Sequence, residues 1–138
     1  MANVLNYGRG GNQSKVMHII GWVLSGLVGA MLLAGAVYGL THQDMVKTEM
    51  NGKHGYPMNS IMPIMIVELA CIILYLIPQT AGLGAVLLTG YLGGAVATHV
   101  RAGEPQWFVP IIVGIVVWLG LFFRDWRVRD LMPLRKTN

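Results

Sequence analysis

Charge is the scarcest resource in this chain: only 12% of its 138 residues are Asp, Glu, Lys or Arg, about half the share of a soluble globular domain. With 54% hydrophobic residues, that scarcity makes lipid rather than water the expected solvent. Cysteine is almost missing as well. The single Cys71 excludes an internal disulfide, and no CxxC or other metal-type spacing surrounds it. The sequence also lacks a phosphate-cradling glycine loop after a strand, an HExxH pair and a nucleophile elbow. The length suffices for one four-helix unit and leaves nothing for a soluble catalytic domain, so extramembrane chemistry is expected from short loops or a partner. The net charge of +4 does not point to nucleic acid. Half of the cations, Arg124, Arg127, Arg129, Arg135 and Lys136, simply follow the last apolar run, as positive-inside residues or contacts to anionic lipid do.

What the sequence does have is long apolar runs. Between Lys53 and Arg101 lie about 47 residues with one formal charge, Glu68, and a Pro-Gln-Thr break at Pro78. A membrane helix needs ~20 residues, so this stretch reads as two helices joined by a tight turn. Two further runs flank it. The expected helices cover about 16–41, 59–77, 80–100 and 107–123, with a polar N-terminal arm (1–14), a loop (42–58) and a basic tail (127–138). Pro63 and Pro110 fall in first turns, where a missing N–H is tolerated. Lys15, an apolar core and Ala34-Gly35-Ala36 imitate a signal peptide, but the run exceeds the usual ~7–15 apolar residues and is expected to be a retained helix. Short turns force antiparallel neighbours, giving an all-α, integral membrane, up-down four-helix bundle. Arg9, Lys15 and the tail cations outnumber Lys47, Lys53 and Arg101 on the opposite side, so both termini are expected in the cytoplasm.

Small residues recur at helical spacing in the first and third helices. Gly90-xxx-Gly94 is a packing motif, expected to bring a neighbouring helix close, within the bundle or from another chain.

Glu68 is the first functional candidate, because a mid-span carboxylate costs ~2.5–3.5 kcal/mol on insertion scales. Counting ~1.5 Å per residue from Pro78 puts it near the membrane centre, level with Ser25, Thr89 and Tyr91, and ~15 Å from His99 along the normal. In the bland reading its carboxyl pins the bundle through a hydroxyl or a backbone carbonyl. In the sharp reading it relays protons or contacts a ligand such as a quinone ring. The far side gathers His42, Asp44, Glu49, His54, Tyr56, His99 and Glu104, with Met58, Met62 and Met65 on one helical stripe. Histidine with methionine is a copper-type ligand set. Methionine stripes are usually packing and loop histidines usually solvated, so a metal at His42, His54, His99, Met58 or Met62, or a haem between His42 and His99, ranks below the quinone reading.

The central stretch resembles the DoxX-like family of small bacterial membrane proteins. The resemblance rests on HGYP (54–57), ELxxxxLYLIPxT (68–80), LGAxLLTGYLGGAVATHVRxGEP (83–105) and a tail like FRDWRVRDLMPLR (123–135), and the first helix matches more weakly. It implies a four-helix protein of the bacterial inner membrane, with Glu68 and His99 as recurring polar positions. The family takes its name from a subunit of a thiosulfate:quinone oxidoreductase, and some members are linked to membrane redox complexes. The resulting expectation is an accessory subunit of a quinone-linked complex, not catalytic alone, with lipids and other membrane subunits or a second copy as partners and no nucleic acid. The alternatives are an assembly subunit, or a small membrane protein that binds a ligand or a metal.

Overall fold

The computed structural model describes residues 15–131. The expected N-terminal arm, and Arg135 and Lys136 of the basic tail, lie outside the described residues. Six α-helices follow in order: α1 (Lys15–Thr41), α2 (Gln43–His54), α3 (Ile61–Leu76), α4 (Ala81–Arg101), α5 (Val109–Arg124) and α6 (Trp126–Leu131). A 3-10 turn leads into α3 (Met58–Ser60) and another into α5 (Pro105–Phe108). No strand occurs among the described residues.

Four segments are long and apolar enough to cross a membrane: Lys15–Thr41, Met58–Leu76, Ala81–Arg101 and Pro105–Arg124. They pack in a ring in which α1 meets α3 and α5, and α4 meets the same two helices from the other side. Large apolar side chains such as Leu27, Ile66, Val86 and Ile115 are more than half exposed. In water that surface would be unfavourable, whereas in a bilayer it is covered by acyl chains. The protein is a multi-pass, all-α membrane bundle.

The core is fullest at the Pro78 end, and α4 leaves it toward the other. At the Pro78 end the core holds Val28, Ile72, Tyr75, Ala85, Leu88, Val117 and Leu121, all 5% exposed or less. The Tyr75 hydroxyl donates to the Val117 carbonyl at 2.8 Å and bonds Ser25 Oγ at 3.0 Å, tying α1, α3 and α5 together. Gly84 is required there, because a Cβ would fall on the backbone of Leu74 and Tyr75. Toward the Glu104 end no residue of α4 beyond Leu92 is buried. Gly90 and Gly94, expected to sit against a helix, face open space within this chain, where a Cβ would meet nothing within 4 Å. The closest approaches to another helix's backbone fall instead at Gly84 and at Gly21, whose Cβ would strike the backbone at Phe123–Arg124.

Segment 42–58, expected as a loop, contains α2. It is polar on balance and none of its residues is buried, so no long apolar stripe announced it. Asp44 in its first turn and Lys53 and His54 in its last complement the helix dipole. Gly55 ends it at φ +70°, with its N–H bonded to Asn51 O at 3.2 Å and that of Tyr56 to Met50 O at 3.1 Å, a left-handed cap that favours glycine.

Candidate functional site

The α4–α5 connection builds one half of the site. Gly103, at φ +68°, reverses the chain just past α4, and its N–H bonds Val100 O at 3.1 Å while that of Glu104 bonds His99 O at 3.0 Å. The reversal brings the Glu104 carboxylate back onto the His99 ring, where Oε2 meets Nδ1. The end of α2 supplies the other half. Lys53 Nζ lies 2.7 Å and His54 Nε2 3.3 Å from Glu104 Oε1. Tyr56 closes the seam, its hydroxyl 2.7 Å from Thr98 Oγ1.

Glu104 is therefore a carboxylate shared by one lysine and two histidines. The Lys53 ammonium, followed by the His99 ring, holds its carboxyl at about 2, well below the usual 4.5. The same bond raises the Lys53 ammonium above its ordinary value. The His54 side chain is 8% exposed, yet neither ring nitrogen has a hydrogen-bond partner of good geometry; its Nε2 contact to Glu104 is electrostatic only. One ligand atom each from His54, His99 and Glu104 lie within 4.8 Å of one another. Two imidazoles and a carboxylate suit a divalent metal, although the Lys53 ammonium on Glu104 stands against it.

Beside this cluster a cavity of about 360 Å³ opens between α2, α3 and α4. His54, Tyr56 and His99 line it at the Glu104 end, Ile64, Gly90 and Gly94 form its walls, and Tyr91 lies deeper. The two glycines leave the wall flat, which is the use the structure makes of them. Glu68, one turn along α3 from Ile64, is not in the lining itself but neighbours Tyr91, and the two side chains interact. Of the polar groups expected near Glu68, the structure brings Tyr91 to it and takes the others elsewhere. Ser25 bonds Tyr75. Thr89 donates to Ala85 O at 2.8 Å and accepts from Trp118 Nε1 at 2.9 Å. Its surroundings form a groove of about 600 Å³ between α4 and α5, which includes Leu92, Val96, Ile115 and Trp118 and holds no titratable group.

Of the weaker metal candidates, His42 does not join the cluster. His42 stacks on Tyr38 with ring centroids 4.4 Å apart and bonds Thr41 Oγ1 at 2.9 Å. Met58 and Met62 are 53% and 38% exposed.

The model of the DoxX-like family matches residues 23–120, most of the chain. The protein belongs to the DoxX-like family. The match takes in most of α1, where the resemblance by motif is weak, and stops before the basic tail. It spans Glu68, Tyr91, His99 and Glu104, so this DoxX-like chain carries its carboxylate–phenol pair and much of its histidine cluster within the family's own segment. No curated protein and no solved structure matches the chain.

One buried charge escaped the reading by sequence. Arg124, counted there among the tail cations, is 6% exposed and lies inside the Pro78 end of the bundle. It continues the buried stripe Val117–Leu121 on α5 at i+7 and i+3, a spacing that could have signalled its burial.

Proposed function

We propose that this DoxX-like protein is an accessory subunit of a quinone-linked redox complex in the bacterial inner membrane. In this reading it holds the polar ring of a quinone in the cavity between α3 and α4. Reduction of a quinone takes two electrons and two protons, one proton for each ring oxygen. The electrons come from a partner subunit that carries a redox centre; this chain binds the ring and supplies protons. Tyr91 gives its hydroxyl proton to one ring oxygen as the electrons arrive, and the Glu68 carboxyl gives a proton to the Tyr91 oxygen in turn; the second ring oxygen takes its proton from the His54–His99 end of the cavity. His54 and His99, at the Glu104 end of the same cavity, pass protons between it and water.

The observation that carries the reading is one cavity flanked by an intramembrane carboxylate–phenol pair and a histidine–carboxylate cluster. A mid-span acid kept beside a cavity rather than in packed core is the pattern of a proton relay. The test is binding of a short-chain quinone to the purified protein in nanodiscs. Gly94→Leu fills the cavity from its wall without removing a polar group, and it should weaken binding about ten-fold or more. Unchanged affinity would contradict the proposal.

The ligand atoms within 4.8 Å favour a second reading, a divalent metal held by His54, His99 and Glu104. Zinc titration of the protein and of His54→Ala separates the two: stoichiometric binding lost in the variant supports the metal site, and equal weak binding removes it.

A further inference from the structure

We propose that the groove at the Pro78 end of the bundle, lined by Arg124 and Arg127, binds a phosphate oxyanion, as a lipid headgroup or as free phosphate. Arg124 is 6% exposed. Its Nη2 donates to the Tyr75 carbonyl, and its guanidinium lies 4.8 Å from the Trp22 ring centroid and 4.6 Å from that of Tyr75. Nη1 is buried with no hydrogen-bond partner. Among the described residues no carboxylate lies within ion-pair distance of it. A guanidinium cannot shed its proton in a protein. A buried cation without a counter-ion is strongly unfavourable, so this one calls for an anion.

The room and the chemistry for that anion are adjacent. A cavity of about 400 Å³ is lined by Arg124, Arg127, Gln79, His18, Trp22 and Asp125, among others. Arg127 adds a second guanidinium, 5.9 Å from the Trp126 ring, and Gln79 an amide donor. His18 Nε2 is already engaged, accepting from Trp22 Nε1 at 3.1 Å. Asp125 opposes an anion, but its Oδ1 accepts from the Arg127 backbone N–H at 2.9 Å. Two guanidiniums against one carboxylate leave the groove cationic. The planar fork of arginine suits phosphate oxygens. Arg124 is also the last residue of its span, the level at which headgroup phosphates lie.

The experiment is native mass spectrometry with thermal unfolding of the full chain in micelles. Phosphate-free dodecylmaltoside micelles alone, with phosphatidylglycerol, and with inorganic phosphate are compared. One retained phosphatidylglycerol that inorganic phosphate does not displace identifies a headgroup site; stabilisation by inorganic phosphate in dodecylmaltoside alone identifies a free-anion site. Arg127→Gln, outside the core, should weaken the anion about ten-fold. Arg124→Lys, which keeps the charge but loses the fork, should weaken it as well. If Arg124→Lys does not fold, Arg127→Gln and Gln79→Leu carry the test. Equal binding by wild type and variants, or no difference between the three conditions, overturns the proposal.

Discussion

Replacing Gly84 by alanine should push α3 and α4 apart. The added Cβ lands on Tyr75 N, Tyr75 Cα and Leu74 C, all backbone atoms, so no side chain can turn away to make room. Carbon contacts begin near ~3.5 Å, and the two axes must therefore part by about 1 Å. Overpacking of this kind costs about 1–3 kcal/mol, opposed by at most ~1 kcal/mol from the better helix propensity of alanine. The separation would also strain the bonds that Tyr75 makes to Ser25 and Val117. The expected net loss is about 1–2 kcal/mol. Gly94→Ala is the matched control, because its Cβ meets nothing within 4 Å and should leave stability unchanged or raise it slightly. Reversible unfolding in mixed dodecylmaltoside–SDS micelles, followed by circular dichroism, reads both. If Gly84→Ala is as stable as wild type, or Gly94→Ala loses as much, the placement of the close α3–α4 contact is wrong.

Two further outcomes follow from hydrogen bonds and charge. Tyr75→Phe removes the donor to Val117 O and the partner of Ser25 Oγ, and should cost about 0.6–1.7 kcal/mol in the same assay, the range seen for bonds between membrane helices; no loss would mean the pair adds nothing to the bundle. Glu104 has a folded pKa of about 2 against 4.5 ordinarily, so its contribution is present in full above the unfolded value. It should be lost as pH falls from about 4.5 toward 2. The difference in melting temperature between wild type and Glu104→Gln should accordingly be level at pH 5–6 and shrink with acid, and a difference that grows with acid would refute the assignment.

The spans were legible because hydropathy, the Pro78 break and first-turn prolines at Pro63 and Pro110 report on each segment alone. The site was half legible. Counting residues along each helix put Ser25, Thr89 and Tyr91 at the depth of Glu68, but depth carries no information on which way a helix is rotated. Rotation sends Ser25 to Tyr75, Thr89 to Trp118, and only Tyr91 to Glu68. Gly84 and Gly94 look alike in sequence, and what distinguishes them is the neighbour each meets. The histidine cluster depended on Gly103 folding Glu104 back over His99, and on α2, a polar helix without the apolar periodicity that pattern reading needs.

On the proposed reading, Glu68 and Tyr91 serve a ligand in the cavity. Difference infrared spectroscopy of the protein in lipid, with and without a short-chain quinone, tests it most directly. Quinone should produce a carboxyl difference band in wild type, and that difference should be absent from both Glu68→Gln and Gly94→Leu. A spectrum that quinone leaves unaltered, or one that Glu68→Gln reproduces in full, would contradict it.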